Sequence, residues 1–373
     1  MDIVLVANSP GELSALVKPL AEKFKQKSPE SRLILFITPC QYASGKEVEF
    51  ARKNLKVDQI VSAEEYGKWI RGGSLGLDFE PSGALLYVGG DLLHATLIAQ
   101  KLKYPAYAYL PNKTIGWKAF FKKYFVPDAR LFRDQDKIYE VGDLMVESVE
   151  ISPKAEALER WHLKNHHPTL AFMPGSREWE IKSMLPLYEK IIKLLNARIP
   201  TLQTALVISP FVPMEIFEKY PAHLSFDVFM PFDSVSSADL VITIPGTNTA
   251  QLSIARMPML VIFPLDQPEN IPLEGLVHYL TLIPGLGYII KKSAAYIAEK
   301  TTKFFALPNI KADREIVPEM RGKIDPKEAA DKIAELLSDP GRLKKMSVEL
   351  THVMGRPGAS EKIVETILNE TVS

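Results

Sequence analysis

Residues 173–181 read MPGSREWEI, and they follow the apolar run Thr169-Leu-Ala-Phe172. A buried strand that leaves through Pro174-Gly175 and at once places a serine, an arginine and two glutamates on the next turn is a strand-to-helix corner. The same exit occurs at residues 3–12, IVLVANSPGE, and at residues 240–251, LVITIPGTNTAQ. Working outward from these corners, short β-branched runs alternate with longer helical patterns. IVLVA precedes a predicted helix over Leu13–Gln26 and then RLILFIT; ALLYV precedes Leu92–Lys103 and then AYAYL. This alternation predicts βαβ units and parallel sheets covered on both faces.

The alternation restarts after the charged, histidine-rich stretch 154–167 with TLAFM, TALVIS, VFM, LVITI and MLVIF. A restart predicts a second sheet of the same type. The expected division is a first domain over 1–152, a second over 153–355, and a final stretch, 356–373, whose helix crosses back to the first. Two doubly wound domains facing each other leave a cleft at the carboxyl ends of both sheets, where open α/β folds bind ligands.

A helix that starts directly after a strand presents unpaired N–H groups and the positive end of its dipole, which suits phosphate or carboxylate. Gly175 lets backbone approach an anion, Ser176 caps or donates, and Arg177 adds a forked contact to phosphate oxygens. The same residues also read as a structural cap, with Arg177 paired to Glu178 or Glu180. At the third corner Thr247, Thr249 and Gln251 offer groups for phosphate and ribose, while Asn248 and Gln251 together resemble a capping box. Neither corner is GxGxxG or GxxxxGK[ST], which argues against a dinucleotide-dependent oxidoreductase and a P-loop ATPase.

LAFMPGSREWEI, then ITIPGTNTAQLSIARMPMLVIF, then FFALPNIKADREIVPEM closely resemble the lipid-A-disaccharide synthase family, with its LLPGSRxxEI, SGTATLE and SLPNLLAGRExVxE strings. That resemblance implies a GT-B fold, two facing Rossmann-like domains, and an inverting glycosyltransferase that uses a UDP-sugar as substrate and no cofactor. It places Gly175, Ser176 and Arg177 at the diphosphate, Gly246, Thr247 and Gln251 near diphosphate and ribose, and Asn309, Arg314 and Glu315 near the donor. Gln251 stands where the family has glutamate. In the first half, Gly11 and Glu12 stand in for the family's GExSGD-like loop, without its aspartate. In GGDLLHATL, Asp91 keeps the first acidic position of a GIDAPDFN-like segment, and His94 replaces the second, implicated as the base. A neutral imidazole can take a proton near pH 7, so His94 and Asp91 are the catalytic candidates; the alternative for His94 is a histidine packed on a helix face against the sheet. Gly142 and Asp143 sit at the place of a GHTxxD-like string.

Residues 112–125, NKTIGWKAFFKKYF, interleave aromatic residues with lysines. Such a segment suits an anionic membrane interface and lies where the resemblance brings in a lipid-linked sugar acceptor, making Trp117, Lys118, Phe121 and Lys122 the expected membrane or acceptor residues. The alternative is an ordinary helix with its aromatics in the core. Residues 277–292, VHYLTLIPGLGYIIKK, form a second apolar candidate. His162, His166 and His167 lack HExxH spacing and cysteine partners, so no metal is expected. Lysine plus arginine equal aspartate plus glutamate at 45 each, which argues against nucleic acid. A single cysteine, Cys40, and a strand in place of a signal peptide suggest a cytoplasmic protein, peripheral on the inner face of the cytoplasmic membrane; a homodimer is left open. Two other readings remain: a UDP-sugar 2-epimerase, and a non-catalytic nucleotide- or lipid-binding relative.

Overall fold

The structure, a computed structural model, describes residues 1–40, 45–111, 116–132, 136–264 and 302–372; the apolar stretch 277–292 lies outside them. The chain divides into two compact units, residues 1–149 with 355–373, and residues 150–354.

In the first unit β1 (Asp2–Ala7), β2 (Arg32–Ile37), β3 (Gln59–Val61), β4 (Gly83–Tyr87), β5 (Ala106–Tyr109), β6 (Phe121–Val126) and β7 (Ile138–Glu140) form one sheet in the order β3-β2-β1-β4-β5-β6-β7. Every pair is parallel, with Val4 opposite both Ile34 and Leu85. Helices cover both faces of such a sheet, so its central strands carry unbroken apolar runs. Ile3 to Ala7 are accordingly inaccessible to solvent. The second unit repeats the plan: β8 (Thr169–Met173), β9 (Gln203–Val207), β10 (Val228–Met230), β11 (Leu240–Thr243), β12 (Met259–Pro264) and β13 (Glu319–Gly322) run in the order β10-β9-β8-β11-β12-β13.

Each chain path moves outward from its first strand and then returns to that strand's other side. The order therefore reverses between β1 and β4, and between β8 and β11. Open α/β sheets bind ligands at the carboxyl ends of such switch points. One crevice is bordered by the exits of β1 and β4, residues 8–12 and 89–94, and the other by residues 174–177 and 245–249.

Two elements depart from the expected pattern. The first helix begins earlier than Leu13, as α1 (Pro10–Glu12), passes through a π-helical stretch Leu13–Val17, and continues as α2 (Lys18–Lys27). Its early start has a local cause: the Ser9 hydroxyl accepts from Glu12 N, and the Glu12 carboxylate accepts from Ser9 N at 3.2 Å, a reciprocal cap. The aromatic and lysine segment is no helix where it is described. Residues 118–120 make a turn, and β6 follows. Phe121 and Phe125 are buried strand residues, so Phe121 cannot face a membrane. An aromatic-rich run with charges at intervals satisfies a helical and a strand period alike, and sheet pairing to β5 decides between them.

The last helix, α13 (Ala359–Val372), packs on α2. Lys23 and Lys27 bind Glu361, Lys27 binds Glu365 at 2.9 Å, and Tyr107 donates to Glu370 at 3.0 Å. At its start the Glu147 carboxylate accepts from Gly358 N at 2.9 Å and Ser360 N at 3.2 Å. The two lysines hold the Glu361 carboxyl down to about 2, against an ordinary 4.5. A depressed acid stabilises the folded state above its ordinary value and stops doing so as pH falls through its folded value. Glu361→Gln should therefore lower hydrogen-exchange protection of α13 at pH 6. The difference from the parent should shrink below pH 4.5 and vanish near pH 2.

Candidate functional site

The corner after β8 is built around a buried carboxylate. Gly175 has φ of 115°, and a Cβ there would lie 2.1 Å from Glu180 Oε2 and 2.8 Å from Ile244 Cδ1. Helix α7 (Glu178–Asn196) starts just beyond. Glu180 folds back from its first turn and accepts from Ser176 N at 2.7 Å and Arg177 N at 3.0 Å, while its Oε1 takes the Arg177 guanidinium at 2.8 Å. Burial pushes the Glu180 carboxyl above its ordinary value, opposed by the Arg177 charge and the backbone donors. The resemblance sets a diphosphate beside Ser176 and Arg177. Their N–H groups are already satisfied by the chain's own anion, the structural alternative seen in the sequence.

The neighbouring corner is different. Helix α9 (Thr247–Ile254) begins at Gly246, whose φ is 121°, and among the described residues no side chain caps it. The capping box suggested by Asn248 and Gln251 does not form. Thr249 turns inward instead: its hydroxyl donates to Gly246 O at 2.8 Å and accepts from Leu307 N at 3.1 Å. Among the described residues no side chain or carbonyl is recorded on the first-turn amides of Thr247 and Asn248, and the helix dipole lies behind them. Gly246 is exposed, and Thr247, Asn248 and Gln251 are half-buried. An anion is better served here than at Ser176.

Asn309 is fully buried in α10 (Leu307–Ala312). Its Oδ1 accepts from Ile316 N at 2.7 Å and Val317 N at 3.0 Å; its Nδ2 donates to Val317 O and Glu319 Oε1, both at 2.8 Å. An amide has two donors and two lone pairs, and all four are used. The side chain therefore has a structural role, with its hydrogen-bonding capacity used within the chain. Arg314 pairs with Glu349 at 2.9 Å on the surface, and Glu315 is exposed.

At the first unit's switch point Glu12 plays the part of Glu180. Its buried carboxylate accepts from Asn8 N at 2.9 Å and from Gly90 N at 3.1 Å, joining the exits of β1 and β4. A Cβ on Gly89 would lie 2.0 Å from that carboxyl carbon. Glu12 is thus a staple, and Gly11 lies inside the helical turn it caps. Asp91 is exposed and caps α5 (Leu92–Leu102), accepting from Leu93 N at 2.8 Å. His94 is half-buried on α5, its Nδ1 2.8 Å from the Tyr66 hydroxyl. Burial lowers the His94 imidazole below its ordinary value, with Asp91 pulling the other way. Tyr66 is what sequence reasoning missed; Glu12 and Glu180 were singled out, but not as carboxylates that take up backbone amides, and only Ser9-x-x-Glu12 carries a local signature of that role.

Asp143 is buried and caps a short turn, accepting from Met145 N at 3.1 Å, while a Cβ on Gly142 would meet Arg356 O at 2.7 Å. Both residues hold the returning C-terminal segment. Trp117 and Phe120 are 44% and 42% exposed with ring centroids 5.8 Å apart, beside exposed Lys122 and half-buried Lys118. A cavity of about 580 Å³ lies at the ends of β1 to β3, lined by Asn8, Thr38, Cys40, Glu47 and Ser62 among others. No described helix is long and apolar enough to cross a membrane.

In class, this is a GT-B protein: two doubly wound parallel-sheet units with glycine corners at their switch points. An S. aureus MnaA–UDP co-structure has a TM-score of 0.58 at 14% identity, covering 100% of this chain and 98% of that one. A UDP-GlcNAc 2-epimerase from Neisseria meningitidis bound to UDP-GlcNAc gives 0.52 at 13% over 99% and 100%. A UDP-glucosyltransferase from Polygonum tinctorium gives 0.53 at 14% over 100% and 98%. At such identities the likeness speaks for the fold.

Within that class the chain is similar in sequence to the lipid-A-disaccharide synthases. The lipid-A-disaccharide synthetase family model matches residues 127–267. The synthase of Gluconobacter oxydans is 26% identical over 230 residues, 57% of this chain and 49% of that protein. That of Klebsiella pneumoniae is 24% identical over 273 residues, 70% and 61%. The chain thus spans about half to three fifths of the length of these relatives.

Proposed function

We propose that the protein is an inverting glycosyltransferase that moves a sugar, by resemblance diacylglucosamine, from a UDP donor to a lipid-linked acceptor. The observation that carries this reading is the uncapped start of α9, at a switch point and inside the stretch that matches the family. There the amides of Thr247 and Asn248, with the helix dipole, stabilise the departing UDP as negative charge grows on it. Gln251, one turn along α9, serves the ribose, and Arg177 adds positive charge from the facing corner. Asp91 and His94 handle the acceptor hydroxyl. Trp117 and Phe120 with Lys118 and Lys122 supply aromatic rings and cations for the anionic inner surface of the cytoplasmic membrane, where a lipid acceptor resides.

Thr247→Pro tests the donor site at a single atom. Proline is accommodated at the first helical position but has no N–H, whereas Thr247→Ala removes only the hydroxyl. A hydrogen bond to a charged group contributes about 1.5–3 kcal/mol. UDP affinity measured by calorimetry should fall about tenfold or more in Thr247→Pro relative to Thr247→Ala, with the circular dichroism unchanged. Equal affinities in the two variants would refute this placement of the diphosphate.

One observation favours a second reading. The epimerase from Neisseria meningitidis matches over 99% of this chain and 100% of its own, so the whole fold is compatible with 2-epimerisation. Incubation with a UDP-sugar alone separates the readings, since only an epimerase yields an isomer without an acceptor.

A further inference from the structure

By the family resemblance His94 stands where an acid is implicated as the base, and a neutral histidine can accept a proton only at its unprotonated nitrogen. Which nitrogen is unprotonated is set by the partner of the other. That partner is Tyr66 on α4 (Ala63–Ile70), whose hydroxyl lies 2.8 Å from Nδ1, the two rings edge to face at 5.2 Å. Tyr66 is 2% exposed, and burial raises its phenol above the ordinary value, so it keeps its proton. Among the described residues its hydroxyl bonds to nothing except His94.

Satisfiability then decides the tautomer. Were Nδ1 protonated, it would donate to the Tyr66 oxygen, and the phenolic hydrogen would be buried without an acceptor. Leaving a buried donor unpaired is disfavoured by about tenfold or more. With Nδ1 unprotonated, the Tyr66 O–H donates to it and nothing is left over. The ring's single proton then resides on Nε2.

We propose that Tyr66 is a positioning residue that holds neutral His94 in the Nε2–H tautomer, so that His94 offers substrate a hydrogen-bond donor rather than a base. The consequence rests on the glycosyltransferase reading. The acceptor hydroxyl then loses its proton to the exposed carboxylate of Asp91, its oxygen bonds to the anomeric carbon, and the bond to UDP breaks with the electron pair leaving on UDP. His94 Nε2–H donates to an oxygen of the bound sugars.

The test is long-range proton–nitrogen NMR on protein carrying 15N-histidine, at a pH where His94 is neutral, with the resonance assigned by its loss in His94→Gln. The expected pattern is a pyridine-type Nδ1 and a pyrrole-type Nε2, shifting toward a mixture in Tyr66→Phe, which keeps the ring packed against Phe36 at 6.3 Å. A pyridine-type Nε2 in the parent protein overturns the proposal, and that spectrum decides even if the variant does not fold. Kinetics separate the second half. Glutamine at 94 retains an N–H donor, so His94→Gln should hold kcat within about tenfold and act mainly on the acceptor KM, while Asp91→Asn should lower kcat about a thousandfold. Collapse of kcat in His94→Gln with activity kept in Asp91→Asn would restore His94 as the base. Absence of any transfer by the parent protein would count against the glycosyltransferase reading and leave the tautomer result standing.

Discussion

Asn309→Asp should destabilise the second unit by about 3–5 kcal/mol, although the two side chains have nearly the same shape. The change puts an oxygen where Nδ2 donates to Val317 O and Glu319 Oε1, so two attractive contacts become repulsive ones between acceptors. It also buries a charge with no cation beside it, the kind of loss measured at that size when a buried ionic partner is removed. Glu319 is occupied already, accepting from Phe305 N and Ala306 N at 2.9 Å each, and so cannot turn away at low cost. A urea titration followed by circular dichroism checks this. A midpoint within experimental error of the parent's would mean the Asn309 network is not formed in solution. Asn309→Ala should cost less than the aspartate, since it leaves donors and acceptors unpaired without adding a charge.

Gly175→Ala is the second large effect, and Gly246→Ala is its control. Both glycines have positive φ, at 115° and 121°, so alanine pays a similar backbone strain of about 1–2 kcal/mol at either place. The surroundings differ. Nothing lies within 4 Å of a Cβ built on Gly246, whereas at Gly175 it meets Glu180 Oε2 at 2.1 Å. Glu180 must then leave the amides of Ser176 and Arg177, losing two charge-assisted hydrogen bonds at about 1.5–3 kcal/mol each. Gly175→Ala should therefore lose about 3 kcal/mol or more, clearly beyond Gly246→Ala, in thermal unfolding monitored at Trp179. Equal losses would show that the carboxylate does not sit against Gly175.

Much of the fold was legible because its signals are local. Unbroken apolar runs such as IVLVA and LVITI mark strands covered on both faces, and the glycine after each marks the exit. Confusion arose where one pattern serves two structures. The spacing of Phe121, Lys122, Tyr124 and Phe125 fits a helix or a strand, and pairing of β6 with β5 settled it. The resemblance to lipid-A-disaccharide synthases rested on the same corners and their spacing, and it holds.

The candidate site was only partly legible, for a different reason. MPGSREWEI and IPGTNTAQ read alike as anion corners, yet Glu180 accepts the amides of one, and among the described residues no side chain caps the other. Which donor meets which acceptor depends on where side chains fold back, and residue type alone does not state it. Nothing in the sequence says that the four bonds of Asn309 are spent within residues 309–319. Likewise, nothing in GGDLLHATL says that His94 meets Tyr66, 28 residues away. The sequence by itself determined the central strands, their exits and the family resemblance, because periodicity and backbone permissiveness are properties of short stretches. The tertiary structure alone decided which corner stays open and which nitrogen of His94 is held, because a hydrogen-bonding group has a fixed capacity and only three-dimensional packing assigns it.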